Sequence, residues 1–176
     1  MRTEKLLKAL QAADAYWLKE LARYSNEELA KKLRAIEWSM GQLYSHLLFA
    51  NGEYFIKKLA ACISGNATFS QKPATLPLKL ILFFNGLPPK RYKVPRSLSG
   101  NEPKELSREQ IEEKFKAIHQ KAEALFRQID SANPANTLTH LNLGGLNARQ
   151  WAQFMLIHQS HHLMQKKRLD DYLGKA

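Results

Sequence analysis

Four long stretches of the chain repeat apolar residues every three or four positions, the spacing that places them on one face of an α-helix. These stretches cover residues 3–24, 39–64, 107–131 and 147–172. Each of the last three begins with a Ser or Asn that is followed three residues later by Gln, a typical helix-capping sequence. We find no convincing strand pattern. The sequence therefore predicts an all-α fold, and four helices of this length predict a four-helix bundle.

The second and third predicted helices are joined by a long connection, residues 66–106. It holds six of the seven prolines, which regular helices and central strands exclude. A short apolar run, Leu78 to Phe84, predicts one or two helical turns packed on the core, and the remainder is expected to be irregular. A connection of this length can travel along the whole bundle, so the four helices need not alternate in direction. Long loops also often lie over a functional site.

Length and residue usage restrict the class of protein. A chain of 176 residues fits a single domain, 1–176, with a core that needs no covalent staple. Its single cysteine, Cys62, excludes an intrachain disulfide and any cysteine-based zinc or iron–sulfur site. There is no signal-peptide pattern, and the most apolar stretch, 76–87, is interrupted by Pro77 and Lys79. We therefore expect a cytoplasmic protein with no membrane partner.

The chain is strongly basic, with 27 Lys and Arg against 16 Asp and Glu and a formal net charge of +11. Such an excess can attract nucleic acid or another polyanion. The basic residues are spread widely, however, and the two denser clusters, 90–96 and 166–168, are short and belong to no DNA-reading motif. A solvated basic surface is the favoured interpretation, and nucleic-acid binding stays open as the alternative.

Three histidines fall within five residues of the last predicted helix. His158 and His162 are one turn apart and face the same way, which is a common arrangement for gripping a metal ion from a helix. His46 lies on the inward stripe of the second helix and is the natural third ligand. We therefore predict a divalent-metal site on His46, His158 and His162. Three nitrogen ligands leave a coordination position open, which is typical of catalytic sites.

The remaining histidines support other assignments. His161 is only about 60° from His158 around the helix and competes with His162 as a ligand. We favour His162, since it lies on the apolar side of the helix, and we expect His161 at the rim of the site. His119 and His140 have no partner motif and are predicted to be surface or loop residues.

The alternative to a metal site is a plain helical bundle in which the rings of His46, His158 and His162 are only hydrogen-bonded.

Two segments resemble the second-helix and last-helix signatures of the DinB/YfiT-like superfamily. The first is Trp38-Ser-Met-Gly-Gln-Leu-Tyr-Ser-His46-Leu, and the second joins Leu143-Gly-Gly-Leu-Asn-Ala-Arg-Gln-Trp151 to His158-x-x-x-His162-x-x-Gln165. The resemblance implies a four-helix bundle that holds a divalent metal, commonly nickel or zinc, on three histidines. Carried over position by position, these are His46, His158 and His162. Characterised relatives include thiol transferases and isomerases that use bacillithiol, mycothiol or glutathione, and dimers are frequent.

These observations lead to one functional hypothesis and one alternative. The hypothesis is an enzyme dependent on nickel, zinc or iron, either a thiol-dependent S-transferase or a hydrolase, in which the metal activates a thiolate or water. Because Cys62 is far from His46 along the helix, the thiol would come from a low-molecular-weight cofactor acting on a small-molecule substrate. A homodimer is implied by the resemblance alone, and the residues leave the oligomeric state open. The alternative is a non-catalytic metal-binding or stress-response module whose basic surface meets an anionic partner. The sequence assigns no catalytic residue.

Several other side chains are candidates for supporting roles. Gln42 and Gln165 lie one turn from predicted ligands and are candidates for holding a ligand or bound water. Glu53 is weighed as a general base, although an exposed, paired carboxylate is the favoured interpretation. Basic groups that could attract a carboxylate-bearing thiol to the site are Lys90, Arg91, Lys93, Arg96 and Arg149.

Overall fold

A computed structural model describes residues 1–35, 37–67, 69–70, 72–88, 103–140 and 142–175. Five helices precede residue 88: α1 (Thr3–Leu21), α2 (Asn26–Ala30), α3 (Met40–Phe49), α4 (Ile56–Ser64) and α5 (Leu76–Phe84). They are followed by α6 (Arg108–Phe126), α7 (Ala148–His161) and α8 (Leu163–Leu173). A π-helical segment, Ala50–Phe55, joins α3 to α4, and a 3₁₀ turn, Ile129–Ser131, follows α6. Two short strands, β1 (Thr137–His140) and β2 (Gly144–Asn147), precede α7.

The long helices form the predicted all-α bundle. Three contacts show that α1 and α6 are antiparallel: Thr3 meets Asp130, in the turn after α6, whereas Gln11 meets Glu123 and Asp14 meets His119 within α6. The α7–α8 helix runs parallel to α1, since Arg149 reaches Thr3 at one end and Lys166 reaches Glu20 at the other.

The α3–α4 helix and α6 both run opposite to α1, so the order of directions is up, down, down, up. At one end, Ser45 of α3 donates a hydrogen bond to the carbonyl of Lys104, just before α6 begins. At the other end, Asn136, beyond α6, donates to the carbonyl of Cys62 in α4. Because the second and third predicted helices are parallel, the chain must return along the bundle between them. The long connection makes this return.

The helix starts agree with the capping sequences. Ser39, Ser107 and Asn147 each accept a hydrogen bond from the backbone N–H of the Gln three residues on, and each Gln side chain bonds back to the cap. These reciprocal bonds satisfy N–H groups that a helix cannot satisfy internally. The helix that begins at Ser39 ends, as the sequence indicates, at Gly65, which has a φ of 75°.

Between the third and last predicted helices, where the sequence shows no strand pattern, the structure has a hairpin in which β1 pairs antiparallel with β2. The Gly144–Gly145 pair explains why β2 fits there. A Cβ at Gly144 would lie 2.1 Å from the carbonyl oxygen of Pro73, and one at Gly145 would lie 2.7 Å from that of Lys72. The long connection therefore passes directly over these glycines, and the Gly145 N–H donates to the Lys72 carbonyl at 3.1 Å.

Two of the four predicted helices are not continuous. The second contains the π-helical segment directly after α3, and the last is interrupted at His162, whose ψ of −8° departs from regular α-helix. There the N–H of His162 bonds to the Gln159 carbonyl, three residues back. Both irregularities lie beside predicted metal ligands. π-Helical turns inside α-helices are often found at functional sites.

A buried charged cluster ties α8 to α1. Lys166 is 2 % exposed, and its Nζ lies 2.5 Å from Glu20 Oε2 and 2.6 Å from Asp170 Oδ2. Tyr24 donates a hydrogen bond to Asp170, and Arg23 pairs with Glu20 at 2.6 Å. The basic cluster 166–168 is therefore not a continuous surface patch, because its first residue lies inside the protein.

In the described part of the chain, no helix combines the length and the apolar character needed to cross a bilayer.

Candidate metal centre

The predicted ligands come from three structural settings. His46 is in the last turns of α3, before the π-helical segment, and His158 is in α7. His162 occupies the residue between α7 and α8. Because the α3–α4 helix packs on the α7–α8 helix, residues 112 positions apart in the sequence meet.

The three imidazole rings converge through their Nε2 atoms. His158 Nε2 is 3.3 Å from His46 Nε2 and 3.2 Å from His162 Nε2. Among the described residues these three histidines form the one group whose potential ligand atoms all lie within 4.8 Å of one another. The pair that the helical spacing placed on one face, His158 and His162, thus converges with His46, which the bundle brings alongside.

Burial keeps these rings in their neutral form. Burial, with a smaller contribution from neighbouring histidines, lowers the pKa of His46 to about 4 and that of His162 to about 3. Burial also lowers the pKa of His158 to well below its usual range, and the charge of His162 would add to this effect. Neutral imidazole is the form that binds metal, because the ion needs a nitrogen lone pair.

Neighbouring side chains hold the rings in place. Gln165 Oε1 lies 3.1 Å from His162 Nδ1, so this nitrogen carries the hydrogen and Nε2 keeps its lone pair. The Trp38 ring lies 5.0 Å from the His46 ring at a tilt of 44°, and the Phe55 ring lies 5.2 Å from the His158 ring. Among the described residues, His158 Nδ1 is buried without a hydrogen-bond partner. Of these neighbours, the sequence had suggested only Gln165.

The cluster fits a divalent ion. Two nitrogens that each lie about 2.0–2.1 Å from a tetrahedral ion are about 3.3 Å apart, which matches both Nε2 separations. Without an ion, three nitrogens this close include adjacent lone pairs with too few hydrogens to share. The donor set is nitrogen alone, which suits nickel, zinc or iron better than magnesium or calcium.

The rim histidine lies where the sequence placed it. His161 is half-buried, its ring centroid is 5.3 Å from that of His162, and it lies outside the converging group.

Three other candidates from the sequence make their described contacts outside the histidine cluster. Glu53 is exposed and pairs with Lys57 at 2.6 Å, as the favoured interpretation expected. Gln42 completes the cap at Ser39 and donates to the Pro103 carbonyl, which anchors the segment before α6. Arg149 pairs with Asp130 at the start of α7, nine residues before His158.

The remaining basic candidates, Lys90, Arg91, Lys93 and Arg96, lie outside the described residues.

Cys62 is fully buried in α4, and its thiol lies 3.7 Å from the Leu146 carbonyl oxygen. Burial raises the pKa of this thiol to about 11, so it is not ionised near neutral pH. The reactive thiol of the hypothesis is therefore not expected from this residue, in agreement with its interpretation as a small core side chain.

Two histidines that sequence reasoning treated as surface or loop residues have specific packing. His140, in β1, lies 5.1 Å from the Phe154 ring and 6.0 Å from the Trp151 ring, and burial lowers its pKa to about 4. His119, in α6, pairs through Nδ1 with the buried carboxylate of Asp14. Neither contact has a local sequence signal, because each joins elements that are distant in the chain.

Fold and cluster together define a helical-bundle protein with a converging three-histidine site. A family model of the DinB superfamily matches residues 2–165, which include all three histidines. The chain belongs to the DinB superfamily. No curated protein and no solved structure matches it.

Proposed function

We propose that the protein is a divalent-metal-dependent enzyme that uses a low-molecular-weight thiol in an S-transfer reaction on a small electrophilic substrate. The observation that carries the metal site is the convergence of the three imidazoles, in which His158 Nε2 lies 3.2–3.3 Å from the Nε2 atoms of His46 and His162. Membership of the DinB superfamily supports the same class of function. His46, His158 and His162 would hold the ion, and its identity would be nickel, zinc or iron.

A divalent ion held by three imidazoles supplies a positive charge and an open coordination position, which favour the ionised form of a bound thiol or water. The protein residues orient and shield this site. Gln165 fixes the hydrogen of His162 on Nδ1. The apolar rings of Trp38 and Phe55 pack against His46 and His158 respectively.

The first experiment is elemental analysis of the purified protein without a histidine tag. We expect about one equivalent of metal per chain. His46→Ala and His158→Ala should each abolish most of it, because two remaining nitrogens bind far more weakly. The matched control is His161→Ala, which removes a neighbouring imidazole that lies outside the converging group. Equal metal loss in the control, or no metal after incubation with divalent ions, would contradict the proposed site.

The second experiment tests the reaction. The metal-loaded protein is incubated with glutathione, bacillithiol or mycothiol and an aromatic electrophile, and loss of free thiol is followed. We expect turnover that requires both metal and thiol and is lost in His158→Ala. A stable metal site without thiol-dependent turnover would instead favour the non-catalytic metal-binding module.

A further inference from the structure

Positive charge is concentrated in two segments of the chain. Residues 54–101 and 131–169 together hold 12 Lys and Arg and no Asp or Glu. The rest of the chain holds the other 15 Lys and Arg and all 16 Asp and Glu, so it is nearly neutral. Almost the whole net charge of the protein therefore comes from these two segments, which contain α4, α5, both strands and α7.

The helix α5, in the first segment, exposes an apolar face. Phe83 is 80 % exposed, Phe84 72 %, Leu76 68 % and Leu80 48 %. Their spacing places all four within an arc of about 100° on one side of the helix. The Phe83 and Phe84 rings pack against each other with centroids 5.1 Å apart. Soluble protein surfaces usually carry exposed apolar residues singly, whereas these four residues form a continuous apolar face on a nine-residue helix.

The opposite face of α5 fixes the helix to the bundle. Leu78 and Ile81 are buried in the core, and Gln153 of α7 donates to the Leu82 carbonyl at 2.8 Å and to Asn85 Oδ1 at 3.1 Å. Thr75 caps the helix start. The exposed face is thus presented on an anchored helix.

Basic side chains accompany this face. Lys79 is exposed and lies about 40° around the helix from Phe83, at the border of the apolar face. Lys72, four residues before the helix, is also exposed. The helix α7, on which α5 packs, contributes no acidic residue. Neither α5 nor α7 holds an acidic residue, and an apolar helix face bordered by lysine in such a setting is the pattern of helices that lie in the surface of an anionic membrane.

We infer that the exposed face of α5 docks on an anionic lipid surface, with Leu76, Leu80, Phe83 and Phe84 entering the headgroup boundary and Lys79 meeting lipid phosphates. Exposed Leu76 and Leu80 favour a lipid over duplex nucleic acid, whose phosphate backbone is contacted by charged and polar side chains. Surface docking needs no membrane-spanning segment, so it is compatible with the interrupted apolar run at 76–87. It is independent of the proposed metal site, and it departs from the sequence expectation of no membrane partner.

Vesicle sedimentation tests the apolar part of the inference. The full chain is mixed with vesicles of phosphatidylcholine and phosphatidylserine, or of phosphatidylcholine alone, and the bound fraction is measured. We expect binding to the anionic vesicles only, and a loss of about tenfold or more for the double variant Phe83→Ser/Phe84→Ser. The control is Phe49→Ser, which removes a 59 % exposed phenylalanine from another helix and should leave binding unchanged. Unchanged far-ultraviolet circular dichroism shows that the variants are folded.

Charge variants test the electrostatic part. Lys79→Glu should weaken binding to anionic vesicles about fivefold or more. Lys19→Glu makes the same charge change at an exposed position of α1 and should have a much smaller effect. Binding should fall as salt rises.

Four outcomes overturn the inference: no binding to anionic vesicles, equal loss in the Phe49 control, equal loss in the Lys19 control, or binding that survives the double variant. A dimer that the double variant dissociates, without vesicle binding, would assign the face to a second copy of the chain. Duplex DNA binding without vesicle binding would assign the positive charge to nucleic acid.

Discussion

The α7–α8 helix carries two buried clusters of titratable groups, one turn apart, that differ in how they are satisfied. Around Lys166, each buried charge meets an opposite one, since its Nζ contacts both Glu20 and Asp170. Around His162, three like groups face one another, and the close Nε2 contacts are nitrogen to nitrogen.

The pKa shifts express the same contrast. Burial by itself lowers the pKa of Lys166, but hydrogen bonds to Asp170 and Glu20 outweigh burial and raise it above its usual range. Burial lowers the pKa of His162 to about 3, and the hydrogen bond to Gln165 opposes this only in part. The lysine cluster is complete within the protein and acts as structure. The histidine cluster has the geometry to hold a cation, so it is the candidate for function.

The largest effect is expected from Lys166→Met, which would leave Glu20 and Asp170 buried without their cation. We expect a loss of about 3–5 kcal/mol in the free energy of unfolding, measured by urea denaturation. The matched control is Lys167→Met, which removes an exposed ion pair with Asp171 and should cost well under about 1 kcal/mol. Similar losses in both variants would mean that the buried cluster contributes no special stability.

Metal removal should have the next largest effect. An ion that binds only the folded chain, at a hundred times its dissociation constant, stabilises it by about 2.7 kcal/mol. We expect zinc or nickel to raise the free energy of unfolding by about this amount relative to chelator-treated protein. The gain should vanish in His158→Ala and remain in His161→Ala. An increase that persists in His158→Ala would place the ion elsewhere.

Gln165 lies between the two clusters, and variants at this position test whether its side chain orients the His162 ring. Gln165→Leu removes the acceptor for His162 Nδ1–H, and we expect metal affinity to fall about 10- to 100-fold in competition with a chromophoric chelator. Gln165→Glu retains an acceptor oxygen and should bind more tightly than the leucine variant. If the two variants bind metal equally, Gln165 does not orient the ring.

The metal-free protein should lose stability as pH falls from about 7 to about 4. Unfolded histidine takes up a proton near pH 6.5, whereas burial lowers the pKa of folded His46 to about 4, so protons favour the unfolded chain in this range. His46→Gln should reduce the slope of unfolding free energy by up to about 1.4 kcal/mol per pH unit.

The control for the pH series is Lys114→Gln, which removes a charge from an exposed position of α6 and should leave this slope unchanged. Urea denaturation at several pH values with chelator present measures both variants. A slope that His46→Gln does not alter would mean that the folded ring titrates as it does in water.

Local sequence signals predicted the elements that depend on local contacts. The caps at Ser39, Ser107 and Asn147 act within four residues, so the sequence marks where their helices start. The i, i+4 relation of His158 and His162 is likewise a property of one helix. The hairpin was missed because its Gly144–Gly145 pair is required by the close approach of a distant backbone segment, Lys72 and Pro73.

The sequence by itself determined the helical class, the family and the three histidines that would share a site. Only the tertiary structure decided that Lys166 is buried against Glu20, that His119 pairs with Asp14, and that α5 exposes its phenylalanines. The physical reason is range. Periodicity and capping arise from neighbours along the chain, whereas burial and pairing of a side chain depend on elements that only the folded bundle brings together.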